Sequence, residues 1–575
     1  MPNALGPLTP THLRHTRIVS IALGLLVARA LAAQDTPRAA GDDLLGLWGA
    51  EAMQGPQVRG ELLLDRAQRR WTMRVAGFEA TGDQQGDSVV IRLAGGQGTL
   101  RAWVGGPVPI GFWVQPEGMN APYATPLRFR ATSATAWRAD VLPLEERFPM
   151  YLSVTRAPDG ALHGVFRNPE FNWPGRAGWY RIERDRDSVA FIVGRTGKLQ
   201  WRQPYDSAQR AIAFDFGGPV VLHPRDREQV VGLVPRSPSL APYEYRAPVN
   251  LGDGWHVAAA RTVGMDEGAL RTIVRDIVNA DPLDDNLPRI HSLLVARRGR
   301  LVLDEYFMGY SADQLHDLRS ASKTMTSIMA GVAMQRGARF DMSTHLGTTP
   351  ITVGQLLTHT SGLACDDDDD ASPGNEDTMQ SQHVQDDWYQ FFLALPRVHP
   401  PGTTYAYCSA GVNMVGSVIR DAVHSWLPLY FDRYLAQPLA ITHYGINLMP
   451  TGEAYSAGGM HMRPRDFMKF GQLYLDGGRW NGTRLVSAGW VRQSTARQVD
   501  RPDGSEDGFG WHRHLLRAGA RSFQTYEASG NGGQFLVVIP DLQLVIVATA
   551  GNYGQYAAWR QIREQLVPRV MSAAR

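Results

Sequence analysis

Ser320-Ala321-Ser322-Lys323 sets a serine and a lysine three residues apart where a helix is predicted to begin, and this stretch decides the reading of the chain. Downstream, Met325, Ile328, Met329 and Val332 recur at helical spacing, and Gly337 supplies a C-terminal stop. Residues three apart share a helix face, so Lys323 can reach the Ser320 hydroxyl. Backbone N–H groups in the first turn favour negative charge at the same point. A serine hydroxyl is a poor nucleophile until a base takes its proton, and a partly desolvated lysine with a lowered pKa can do so. Taken alone, the pattern equally describes a capping serine before an exposed lysine. Two further segments change that balance.

Pro401-Gly402-Thr403-Thr404-Tyr405-Ala406-Tyr407-Cys408-Ser409-Ala410-Gly411 carries two tyrosines in a loop. Ser529-Gly530-Asn531-Gly532-Gly533-Gln534 then enters a strand predicted over Phe535 to Ile539. Leu356 to Leu363, Ala457 to Met460 and Arg465 to Gly471 fit between and around them. In this order the segments resemble the serine β-lactamase and penicillin-binding-protein superfamily. The likeness runs over roughly residues 265–570 and is to class C β-lactamases and the related esterases and amidases, including 6-aminohexanoate-dimer hydrolases.

The resemblance implies a role for each matching residue. Ser320 corresponds to the acylated nucleophile, Lys323 to its proton-transfer partner and Tyr407 to the second acid/base group. A phenol titrates near 10 unperturbed, so Tyr407 needs the Lys323 ammonium beside it to act near neutrality. The N–H of Ser320 and that of the residue after the glycine-rich triplet would form the oxyanion hole. With Asn531-Gly532-Gly533 as that triplet, the second donor is Gln534. Two positions depart from the family pattern. The tyrosine motif usually ends in Asn, where this chain has Ser409, and the third motif usually opens with Lys or His, where it has neutral Asn531. Both changes weaken recognition of a carboxylated β-lactam. No Glu-containing loop like the deacylating motif of class A enzymes is found.

The expected function is therefore an exported serine hydrolase that cleaves an ester or amide bond in a small molecule or short peptide through an acyl-enzyme. β-Lactamase or D-Ala-D-Ala carboxypeptidase activity is the alternative within the family. A catalytically inert protein that binds cell-wall fragments or a small ligand is the alternative outside it. No cofactor is expected, and the histidines form no metal-ligand spacing, so no metal is expected. His359 reads as structural, tying the Thr358 to Gly362 loop by hydrogen bonds.

A net charge of +2, with basic residues scattered, gives no case for a nucleic-acid partner. Apolar content of 43% marks a globular chain, and its length suggests two or three domains. Arg14, His15 and Arg17 precede the apolar run Ile18 to Val27, and Ala30-Leu31-Ala32 offers a cleavage site. Residues 1–33 thus read as an export signal, too short for a comfortable membrane span, with periplasmic or secreted residence expected. A retained anchor is the alternative. Cys365 and Cys408 are the two cysteines, and export permits a disulfide, while two partly buried free thiols satisfy the sequence equally.

Residues 41–222 read as strands: Trp71, Met73 and Val75 alternate with polar neighbours, as do Leu100, Ala102 and Val104. An antiparallel barrel or sandwich is expected there, with Leu44 to Trp48 resembling the opening of small lipocalin-like barrels. It serves as a packing or spacer module or, as the alternative, binds a ligand. Residues 223–262, with Pro224, Pro235, Pro238, Pro242 and Pro248, read as a linker. Residues 263–575 read as the hydrolase domain. The resemblance implies an α/β sandwich, an antiparallel sheet with the terminal helices on one face and a helical subdomain. The whole chain is thus α+β. The acid run Asp366 to Asp370 reads as a solvated loop that borders the cleft and repels anions.

Overall fold

Apolar residues in the central strands alternate between two cores, and this alternation organises the carboxy-terminal half. In the strands Ile290–Arg297, Leu544–Ala550 and Gln534–Ile539, residues Leu294, Ala296, Leu536, Val538, Val545 and Val547 face one core. Their neighbours Leu293, Val295, Phe535, Val537, Leu544 and Ile546 face the other. Successive side chains in a strand point to opposite faces, so a sheet buried on both sides needs apolar residues at every position. The computed structural model describes residues 41–575 except 54–57, 117–121, 145–146, 171, 173, 217 and 238–239. The expected export signal at residues 1–33, and Pro238 of the expected linker, lie outside the described residues.

Among the described residues the central sheet has nine strands, with Ile290–Arg297 beside Leu544–Ala550, then Gln534–Ile539, Arg521–Gly530 and His512–Ala518. These pair antiparallel. Helix Glu267–Asn279 and the C-terminal helical stretch from Tyr556 to Ser572 cover one face. Helix Pro464–Leu475, the Ser322–Gln335 helix and the helical subdomain cover the other. The hairpin of Ile290–Arg297 and Arg300–Tyr306 turns at Arg298 and Gly299, both at positive φ. This is the α/β sandwich the motifs implied.

The amino-terminal part holds both architectures the sequence left open. Strand Gly46–Met53 closes with the strands between Arg147 and Arg225 into an eight-stranded antiparallel barrel. Aromatic rings fill it: Phe166 lies 5.2 to 5.8 Å from Phe191, Tyr180, Trp201 and Phe214. Between the first and second barrel strands, residues 60–141 form two further sheets packed through Leu62, Leu64, Trp71, Met73, Leu100 and Trp113.

One of these sheets does not stop at the hydrolase region. Strand Tyr123–Leu127 pairs with Tyr444–Asn447, which pairs with Met460–Met462, which pairs with His316–Asp317. That last strand ends three residues before Ser320. A single seven-stranded sheet thus runs from the amino-terminal insert to the base of the nucleophile. Backbone hydrogen bonds thus pack the amino-terminal insert onto strands of the carboxy-terminal half.

Arg128, at the end of the shared strand, fixes the join. Its guanidinium bonds the Asp432 carboxylate at 2.8 Å and the carbonyls of Ile441 and Thr442 at 2.9 and 3.1 Å. Asp432 is fully buried and also accepts from Tyr444 and Gln437. Arg128→Met leaves a buried carboxylate without its cation and is expected to lower stability by about 3 kcal/mol, measured by denaturant unfolding. An effect within about 0.5 kcal/mol, the range of ordinary surface substitutions, would show the join to be held elsewhere.

Candidate active site

The shared sheet positions Ser320. Leu318 N–H donates to the Met460 carbonyl at 2.9 Å, and Asp317 accepts the Arg319 N–H at 2.9 Å. Arg319 takes a left-handed φ of 49° that turns the chain from strand into a 3-10 turn, Arg319–Ala321, and then the Ser322–Gln335 helix. Ser322 is buried and its hydroxyl accepts the Met460 N–H, so the helix start is bonded to the same strand. Met325, Ile328, Met329 and Val332 are buried as their spacing predicts.

Lys323 is 4% exposed, and its ammonium donates to Ser320 Oγ at 3.0 Å and to the Ala457 carbonyl at 3.0 Å. The Tyr407 ring centre lies 4.9 Å from the ammonium. Burial by itself lowers the lysine pKa, but Tyr407, Glu376 and Asp367 outweigh it, and the net direction is upward. This corrects the expectation of a lowered lysine pKa: desolvation is present, but anionic and phenolic neighbours stabilise the charged form more. Lys323 therefore stands beside Ser320 as an ammonium near neutral pH.

The Tyr407 segment is strapped from two sides. His359, also at left-handed φ (57°), accepts the Cys408 N–H on Nδ1 at 3.1 Å, and its carbonyl accepts the Ala406 N–H at 2.9 Å. Its ring stacks 4.5 Å from that of Tyr407. Burial pushes its pKa down to about 3, so His359 is neutral and acts as a strut. On the other side, Cys365 is bonded to Cys408. Asp367 N–H donates to the Tyr407 carbonyl at 2.7 Å, and the Asp367 carboxylate accepts the Ser409 N–H at 2.7 Å.

Two acids thus enter the site. Asp367 Oδ1 accepts the Glu376 N–H at 2.8 Å, and Glu376 accepts from Ser409 Oγ at 3.2 Å and from the Tyr455 hydroxyl. Burial, then the Glu376 charge, pushes the Asp367 carboxyl well above the usual carboxylate range. The acid run is therefore not uniformly solvated: Asp368, Asp369 and Asp370 are exposed, whereas Asp367 turns inward. Its repeated identical residues hid that difference from sequence reading.

The glycine-rich turn is placed differently from the sequence expectation. A Cβ on Gly530 would lie 2.2 Å from the Leu318 carbonyl and 3.2 Å from Ser320 N, so Gly530 is the glycine that touches the nucleophile turn. Gly532 and Gly533 face elsewhere, against Tyr553 and against Ile562, Ala550 and Trp559. Gln534 lies within a strand flanked on both sides, fully buried, with its carboxamide on the Ala550 and Asn531 carbonyls. The Asn531 carboxamide accepts the Gly554 N–H at 3.0 Å and so pins the turn. Gln534 pairs with Gly530 across the two strands, and the residue that follows the contacting glycine is Asn531. Two residues before that glycine stands Ala528, uncharged and fully buried.

A cavity of about 370 Å³ is lined by His316, Asp317 and Tyr553 together with Tyr123, Leu144 and His461. The amino-terminal part thus contributes directly to the walls of this space. Among the described residues no group of three or more His, Cys, Asp or Glu is arranged to hold a metal ion, and no helix is long and apolar enough to cross a membrane.

The family model described as Beta-lactamase matches residues 291–565. The 6-aminohexanoate-dimer hydrolase of Paenarthrobacter ureafaciens is 26% identical over 252 residues, 39% of this chain and 64% of the relative. The chain thus spans a little under two thirds of the length of that curated relative. Among solved structures, a penicillin-binding protein homolog from Caulobacter crescentus matches with a TM-score of 0.42 at 15% identity, over 53% of this chain and 96% of that one. A family VIII carboxylesterase matches with a TM-score of 0.40 at 18% identity, over 53% and 96%. The sheet order and the Ser320–Lys323 contact agree with the family match, and over residues 291–565 the chain is similar to the Beta-lactamase family.

Proposed function

We propose that this protein is a serine hydrolase that opens an ester or amide bond through an acyl-enzyme on Ser320. The observation that carries the reading is the buried Lys323 ammonium 3.0 Å from Ser320 Oγ, with Tyr407 over it and Gly530 against the Ser320 backbone. The Lys323 ammonium lies 4.9 Å from the Tyr407 ring centre, which brings the phenol and the Ser320 hydroxyl to the same cation. The Tyr407 oxygen takes the Ser320 proton as Oγ attacks the substrate carbonyl. The N–H groups of Ser320 and Asn531 hold the developing oxyanion, with Asn531 in the place expected for Gln534. Tyr407 then returns the proton to the departing alcohol or amine. Water repeats the sequence in reverse and frees Ser320.

The substrate reading follows from charge. Ala528 and the neutral, engaged Asn531 leave the end of this strand without a cation, while Asp367 and Glu376 add acid to the opposite wall. An ester, amide or short peptide without a carboxylate at this point fits better than a carboxylated β-lactam. The relative named as a 6-aminohexanoate-dimer hydrolase agrees with an amide bond as the target. Export is part of the same proposal, supported by the amino-terminal charge and apolar pattern and by the Cys365–Cys408 bond.

A fluorophosphonate probe should label Ser320, located by mass spectrometry, and labelling that persists in Ser320→Ala would sink the assignment. A panel of p-nitrophenyl esters, short amides, D-Ala-D-Ala peptides and nitrocefin then ranks the substrates. Nitrocefin turnover far above the rest would put β-lactams ahead of esters and amides. Binding of a ligand without any acylation would favour an inert binding protein.

Tyr407→Phe keeps the ring but removes the proton-carrying oxygen. It is expected to lower turnover by about two orders of magnitude with an unchanged melting temperature, and near-normal turnover would assign the base to Lys323 alone. Gly530→Ala tests the register of the oxyanion hole. The added methyl must displace Leu318 and Ser320, and turnover is expected to fall by about two to three orders of magnitude. Full activity in Gly530→Ala would return the second donor to the Gly533–Gln534 turn.

A further inference from the structure

Ser409 stands where related chains carry Asn, and its neighbours explain what replaces the lost carboxamide. Its N–H goes to Asp367 and its hydroxyl to Glu376, so two carboxyl groups meet around one small side chain. Asp367 in turn holds the Tyr407 carbonyl through its own N–H and the Glu376 N–H through its carboxylate. The Cys365–Cys408 bond anchors both ends of this clamp, two residues from Asp367 and one from Tyr407.

We propose that Asp367 and Glu376 are positioning residues for the relay: they clamp the Tyr407–Ser409 segment and set the charge that faces Lys323. This rests on the hydrolase reading above and adds to it a source of control. Facing Lys323 are Ser320 on its own turn, the Ala457 carbonyl, the Tyr407 phenol, the neutral His359, and the Asp367 and Glu376 carboxyls. Only the last two add negative charge without taking part in proton transfer to substrate. A carboxamide at position 409 would hold the loop but supply none. Burial and mutual repulsion favour one proton on the pair near neutrality, centred on Asp367.

The test compares pH profiles of ester hydrolysis for wild type, Glu376→Gln and Asp367→Asn, with Asp370→Asn as an exposed control from the same run. The amide variants keep shape and acceptor oxygens but remove charge. Removing a carboxylate lowers the Lys323 pKa, so the limb governed by Lys323 should move to lower pH by about one unit, while the Asp370→Asn profile stays in place. A purely structural role would scale the whole profile without moving a limb, and that result overturns the proposal.

A second readout needs no activity. The folded protein holds the Asp367 proton to higher pH than the unfolded chain does, so this contribution to stability falls as pH rises from about 4 toward neutrality. Asp367→Asn should flatten that fall in melting temperature, and an unchanged slope counts against the pair. Fluorophosphonate labelling separates the two readings. No label on wild-type Ser320 overturns the hydrolase reading and the relay role together, whereas labelling with unmoved limbs overturns only the role of the pair.

Discussion

A lysine ammonium enclosed in protein must be compensated or it loses its proton, and much of this site's architecture follows from how Lys323 is compensated. A hydroxyl, a carbonyl and a phenol meet it directly, and two carboxyls add charge from behind. Each partner comes from a different part of the chain: the nucleophile turn, the Ala457 loop, the tyrosine segment, the acid run and the Glu376–Ser381 helix. The surroundings of Lys323 are therefore assembled only when these segments pack together. The disulfide, the His359 strut and the Asp367 clamp all act on the one segment that bears Tyr407, where a small displacement would cost the most.

The second constraint is the shared sheet. Ser320 sits on a turn between strand and helix, and that strand is the edge of a sheet whose other end lies in the amino-terminal insert. A sheet edge left open exposes unpaired backbone groups. Here Tyr123–Leu127 supplies the missing neighbour to Tyr444–Asn447, and Arg128 neutralises Asp432 beneath it. The barrel stays outside this path as a ring-filled body, while the insert carries the connection. Residue Tyr123 also meets His461 edge-on at 5.0 Å, so the insert reaches the wall of the cavity beside Asp317.

The sequence disclosed the parts of this design that are local or periodic. Helical spacing placed Met325 to Val332, strict alternation placed Trp71, Met73 and Val75, and the motif order placed Ser320 beside Lys323 and Tyr407. What it hid depends on pairing between distant segments. Nothing in Tyr123 to Leu127 announces a partner at residues 444–447, because any alternating strand can take either edge. Five consecutive aspartates look alike until the fold turns one of them inward. Three glycines within four residues also offer several equivalent triplets, and the close approach of Gly530 to Ser320 is visible only in the fold.

That register bears on the electrostatics of the cleft. Once Gly530 is the contacting glycine, the position two residues before it is held by Ala528, packed in the same core as Trp511 and Tyr526. A lysine could not be placed there without burying a charge among rings. The neutrality of this position is thus built into the core and is not a surface variation. Across the cleft, Asp367 and Glu376 are bonded to backbone and hydroxyl donors that stabilise negative charge.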